Sequence, residues 1–153
     1  FAEGSSDLVG IGTANPSHAL TVAGGVSGSG VLQAVGAATL GNTLDVSGSV
    51  TFAAGVTHNR AAITAATYTI LVTDYYIGAD TSSNTITLTL PAAAIAGSGK
   101  TYVIKDEGGN ADANAITVDG NGSETVDGAA SVDVDSAYGA LNLYTNGSNW
   151  FVY

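Results

Sequence analysis

The sequence predicts an all-β protein in two parts. Residues 1–60 read as an oligomeric β-shaft or assembly arm, and residues 61–153 as an antiparallel β-sandwich head, jelly-roll-like. Three observations predict this. A 12-residue repeat runs through the first third of the chain. Short runs of β-branched and aromatic residues follow at roughly ten-residue intervals, divided by clusters of Asp, Asn, Gly and Ser. No stretch keeps a helical period, and "PAAAIAGSG" allows one turn at most.

In the repeat, Leu8, Leu20, Leu32 and Leu44 stand in phase with Gly12, Gly24, Gly36 and Gly48. Alternate places hold Leu, a small residue, Gly and a small residue, while the places between are more polar, as at Thr21, Gln33, Asp45 and Ser47. Such period-two alternation marks a strand with one buried face. Pro16, Ser17, Gly28 and Gly41 fall where each unit must turn. A unit this short cannot bury its face alone and must stack on copies of itself. The stripe is too thin for a two-layer core, so we expect strands from several chains, most simply three, to converge on one axis. The eight Leu and Gly residues are then the assembly positions. Halving the period gives an alternative: aliphatic residues at every sixth place from Leu8 to Val56, the pattern of a left-handed parallel β-helix. Many proteins of that class are acyltransferases with a catalytic His, for which His18 and His58 are available.

The head is predicted from the runs "TYTILVT", "DYYIGAD", "NTITLTL", "TYVIKDE", "NAITVDG", "SVDVD", "ALNLYT" and "NWFVY". Asn146-Gly147 signals a two-residue hairpin loop before the last of them. Apart from Phe1 and Phe52, every aromatic residue lies at or beyond Tyr68, so only this part has the bulk for its own core.

Composition narrows the function. Net charge is −10, and the basic residues are Arg60, Lys100 and Lys105 alone. Phosphate neutralisation needs clustered Lys and Arg, so nucleic acid is not an expected partner. No apolar run approaches the roughly 20 residues of a membrane span. Zero Cys removes disulfides and thiol chemistry, and zero Met leads us to expect a processed or excised piece. "AIAGSGKT" (94–101) meets a relaxed phosphate-loop pattern, but a strand, not a helix, is predicted after it. No Ser-His-Asp set or metal-spaced His pair stands out, so no enzyme and no cofactor is expected. In "DGNGSE" and beyond, Asp119, Asn121, Glu124 and Asp127 are candidates for an irregular calcium site. Tyr75, Tyr76, Tyr144 and Trp150, near Asn and Asp residues, are candidate glycan contacts.

The string "VGIGTANPSHALTVAGGVSGSG" (9–30) resembles a shaft segment of phage tail fibres, at Ile11, Gly12, Thr13, Asn15, Pro16, Leu20, Val22 and Gly24. From "DYYIGADTSSNTITLTLPAA" to "YGALNLYTNGSNWFVY" the chain resembles a β-rich head attached to viral and phage fibres and to some bacterial surface proteins. The resemblance carries no catalytic residues. It implies an extracellular homotrimer on a virion or bacterial surface, a spacer and attachment surface that meets a host glycan or receptor. Two other readings stand beside it. One is a secreted filament subunit that polymerises head to tail by β-strand complementation. The other is a glycan-binding module.

Overall fold

A run such as "NTITLTL" can bury its apolar side chains only from one face of a sheet, so its neighbours decide where it goes. The computed structural model describes residues 9–11, 20–22 and 46–153, and the chain divides into two units, Phe1–Thr51 and Phe52–Tyr153.

In the first unit, β1 (Val9–Ile11) and β2 (Leu20–Val22) pair in parallel. Val9 lies opposite Leu20, so paired residues stand eleven positions apart, one short of the repeat. Of the assembly positions named from the repeat, Leu20 falls in β2 and Gly48 in an exposed stretch. Leu8, Gly12, Gly24, Leu32, Gly36 and Leu44 lie outside the described residues. Residues 46–59 are exposed throughout and form no strand.

The second unit is all-β, with one helical turn. Its strands are β3 (Arg60–Ile63), β4 (Thr67–Thr69), β5 (Tyr76–Ala79), β6 (Ile86–Thr89), β7 (Thr101–Asp106), β8 (Ile116–Asp119), β9 (Ser131–Val134), β10 (Ala140–Thr145) and β11 (Trp150–Val152). The turn, α1 (Ala93–Ala96), has its Ala93 N–H bound by the Glu124 carboxylate at 3.0 Å. One sheet has five strands in the order β11-β10-β7-β5-β3, and the other four in the order β4-β6-β8-β9. From β3 to β8 the chain crosses between sheets at every strand. Each return to a sheet adds a parallel neighbour: β3, β5 and β7 in one, β4, β6 and β8 in the other. The opposite sheet thus supplies the crossover that parallel strands need. After β8 the chain reverses. There β9 pairs antiparallel with β8, β10 with β7, and β11 with β10.

This corrects the expected head. Its two sheets are mixed, not antiparallel, and three successive parallel coils replace the jelly-roll scheme. Alternation reports which face a strand buries, and says nothing of its direction. Parallel coils also put like side chains over one another. Inward-facing ladders run Ala61–Ile77–Ile104–Leu141 in one sheet and Tyr68–Leu88–Val118–Val132 and Ile86–Ile116–Val134 in the other. Each aliphatic rung removed from water contributes roughly 1.5–3 kcal/mol. At the antiparallel end the core turns aromatic: Trp150 and Tyr102 are fully buried with ring centroids 5.4 Å apart.

The β10–β11 hairpin differs from expectation in length. Thr145 pairs with Trp150, so the loop holds the four residues between them. Asn146 Oδ1 accepts from the N–H groups of Ser148 and Asn149 at 2.9 and 3.0 Å, and Gly147 takes the positive φ of 91°. The Asn-Gly signal therefore marks the turn, but the side-chain carbonyl of Asn146 organises a longer one.

Candidate functional site

Strand alternation sends Tyr102 and Ile104 of β7 inward, and Thr101, Val103 and Lys105 to the outer face of the five-stranded sheet. Register then assembles that face. Phe151 lies opposite Tyr144, and Tyr144 opposite Thr101. The Tyr153 N–H donates to the Asn142 carbonyl at 3.1 Å, which sets Tyr153 in the next row. That row continues through Val103, Tyr76 and Arg60.

The rings of Tyr144 and Phe151 stack at 5.3 Å and 27°, and Tyr153 meets Tyr144 edge-on at 5.9 Å. Tyr144 is 38% and Tyr153 64% exposed. With Gly99 and Thr101 they line an open depression of about 440 Å³. Further along the face, His58 stacks on Tyr75 at 4.0 Å and 14°, and Tyr76 stands edge-on to both. Beside Tyr76, at the β3 edge, the Arg60 guanidinium grips the Glu107 carboxylate, Nε to Oε1 at 3.0 Å and a second bond from Nη2 to Oε2. The carboxylate lies over Gly78, and a side chain there would have to push it aside. Glu107 raises the Arg60 pKa, but both side chains are solvated and the pair adds little to stability. The result is a face with exposed rings at two places and a charged pair at its β3 edge. Flat apolar rings beside amides and hydroxyls can cover the C–H faces of a sugar while hydrogen-bonding its edges.

Two buried carboxylates are a different matter. Asp106 accepts from Thr81 Oγ1 at 2.7 Å and from the N–H groups of Gly109, Ala111 and Tyr138 at 3.0 Å each. Burial raises its pKa, and these hydrogen bonds outweigh burial, so the net shift is downward. Asp74 accepts from the Tyr68 hydroxyl and the Leu71 N–H at 2.9 Å each, and from Asn59 Nδ2 at 3.2 Å. Around it, burial pushes the Tyr102 phenol up to about 12, with the Asp74 charge adding to the effect. Burial also lowers Lys100, partly opposed by Asp74. Perturbed groups in one place are a candidate for chemistry. Here each is already bound: Tyr102 donates to the Leu71 carbonyl at 3.1 Å and Lys100 Nζ to the Asp74 carbonyl at 2.7 Å. Both clusters act as clasps that hold loops to the sheets.

Of the predicted glycan contacts, Tyr76 and Tyr144 are exposed on the outer face, and Tyr75 is half-buried against His58. Trp150 is corrected: it is fully buried against Tyr102 and does not reach the surface. Phe151 and Tyr153 occupy the place assigned to it. The alternation in "NWFVY" carried that signal, because Trp150 and Val152 must face opposite to Phe151 and Tyr153. The calcium candidates are not brought together. Glu124 binds Ala93, and Asp127 accepts from the Val152 N–H at 3.3 Å. Among the described residues no three acidic, His or Cys side chains are grouped to hold a metal. His18 lies outside the described residues, and Lys100 leads straight into β7 rather than a helix. No family model matches the chain, and no curated protein matches it either. Among the described residues no helix is long and apolar enough to cross a membrane.

Proposed function

We propose that the chain is a non-enzymatic structural subunit of an extracellular β-fibre, tail-fibre-like, acting as spacer and attachment surface on a virion or bacterial cell. The observation that carries this reading is parallel strand pairing in both units of the chain. Neighbouring copies of the repeat pair this way in β1–β2, and the head builds both its sheets from the same step. A chain that lengthens by adding parallel strands suits a mechanical role. Its clasped, internally satisfied carboxylates suit stiffness rather than turnover. Homotrimers are the expected assembly. Light scattering with electron microscopy of the full chain should show an elongated multi-chain particle. A compact monomer at every concentration would remove the reading.

A second reading, a glycan-binding module, rests on the outer-face rings of Tyr144, Phe151 and Tyr153. Base-free, uncharged sugars are the ligands this face fits, since the chain is too acidic to attract polyanions. Tyr144→Ala should lower affinity for any glycan captured on an array by about tenfold while the melting temperature holds. Capture that survives this change would move the ligand elsewhere.

A further inference from the structure

The tripeptide Asn-Gly-Ser occurs twice in the head, as Asn121-Gly122-Ser123 and Asn146-Gly147-Ser148. Asparagine before glycine carries a reactivity of its own. The glycine nitrogen, once it has lost its proton, attacks the asparagine side-chain carbon Cγ and expels ammonia. A five-membered succinimide is left in the backbone. Water then opens it at either carbonyl, giving aspartate or isoaspartate, whose backbone runs through the former side chain. In sum one water is consumed and one ammonia released, and no oxidant or reductant takes part. Glycine favours the step because its backbone turns freely and no Cβ hinders its nitrogen.

Local sequence makes the two sites equivalent, and both asparagines are exposed. Both glycines take a positive φ, 61° at Gly122 and 91° at Gly147. Hydrogen bonds separate them. Asn146 Oδ1 accepts from the N–H groups of Ser148 and Asn149, and the Gly147 N–H donates to Thr145 Oγ1 at 2.9 Å. Thr145 is fully buried, so that acceptor is fixed. Ring closure there has to turn the Asn146 side chain and free the Gly147 nitrogen, which breaks all three bonds. At the other site neither reacting group is held. Asn121 Oδ1 and the Gly122 N–H have no hydrogen-bond partner among the described residues. Asn121 Nδ2 reaches the Leu90 carbonyl only at 3.4 Å, longer than a good N–H···O bond. The space a Cβ would take at Gly122 is open.

We infer that Asn121 is a self-modification site, converted to aspartate and isoaspartate with water as co-reactant, and that the fold protects Asn146. The change falls where this loop is tied to α1. Asn121 loses the donor aimed at the Leu90 carbonyl, and Glu124, three positions on, holds the Ala93 N–H. The turn between them is closed by the Glu124 N–H on the Asn121 carbonyl at 3.0 Å. Isoaspartate adds a carbon to the backbone inside that turn and so loosens the Glu124 hold on α1. Thr125, whose N–H and Oγ1 both bind Asn149 Oδ1 at 2.9 Å, keeps the disturbance from β11.

The test holds the full chain in warm, mildly alkaline buffer and follows both sites by peptide mapping with mass spectrometry. Conversion at Asn121 should exceed that at Asn146 by about tenfold or more, because the protected site must first give up three hydrogen bonds. In urea the two rates should converge. Thr145→Val, which removes the acceptor and keeps the shape, should speed Asn146 several-fold. Equal rates in the folded chain, a faster Asn146, or an Asn121 that converts only in urea overturns the site. An Asn146 that stays as slow in Thr145→Val overturns the hydrogen-bond account of its protection. The isoaspartate form, separated by chromatography, should exchange the Ala93 amide faster and the Ile116 amide no faster. Unchanged exchange at Ala93 overturns the link to α1 and leaves the modification standing.

Discussion

Val46–Phe52 and Ile86–Leu90 carry the same alternation of apolar and small polar residues, yet they end in opposite places. Ile86, Leu88 and Leu90 are essentially inaccessible, whereas Val46, Val50 and Phe52 are among the most exposed hydrophobic side chains described. Propensity does not separate them, since both are rich in β-branched residues. What separates them is a backbone on either side. β6 lies between β4 and β8, whereas among the described residues 46–52 form no strand. Alternation is a capacity for burial, and only a neighbouring strand turns it into stability.

Substitutions can break or sharpen that contrast. The largest effect belongs to Ile116, which sits in a ladder between Ile86 and Val134 and is fully buried. Ile116→Ala should cost about 3–4 kcal/mol in urea unfolding, from lost transfer energy plus the cavity left behind. A cost below about 1 kcal/mol would mean that the coils do not close on one core. A smaller effect belongs to Asp106. Its folded pKa lies below the ordinary 3.8, so its contribution is complete above that value and is lost as pH falls through the lower, folded one. Asp106→Asn should lose about 2 kcal/mol at neutral pH, because an amide cannot accept all four hydrogen bonds. It should also flatten the fall in melting temperature below about pH 4. An acid limb as steep as wild type's would assign that limb to other carboxylates. The smallest effect is expected at Val50, where Val50→Ser should change the stability of an isolated chain by less than about 0.5 kcal/mol. A larger loss in dilute protein would show that the segment is already packed within its own chain.

Much of the head was legible from local pattern. Each predicted run from "TYTILVT" to "NWFVY" contains a strand, and "PAAAIAGSG" contains the single helical turn. β3 was missed because Arg60-Ala61-Ala62-Ile63 shows little alternation; Ala61 and Ala62 differ only in which way they point. Strand direction was misread because it depends on where the chain travels between strands, and that information is not local. The site divided in the same way. Period two in "NWFVY" sets Trp150 and Val152 opposite Phe151 and Tyr153, but it does not say which pair faces out, and Trp150 is the buried one. The clasps were invisible. Asp106 gathers donors from Thr81, 25 positions back, and from Tyr138, 32 positions on, and no short window holds both.

Parallel coils also free the fold from any fixed length per lap. Arg60 meets Tyr76 across 16 positions of chain, while Tyr76 meets Val103 across 27. In the other sheet the laps are 20 positions, from Thr67 to Thr87, and 30, from Ile86 to Ile116. The ladders stay aligned whatever the excursion between them. The exposed parts of the bends, such as 82–83 and 112–113, can therefore change while Thr81, Gly109 and Ala111 keep their hold on Asp106. A lineage under pressure to vary what it displays could do so at these bends for a small thermodynamic penalty, since closing a longer loop costs only a fraction of a kcal/mol.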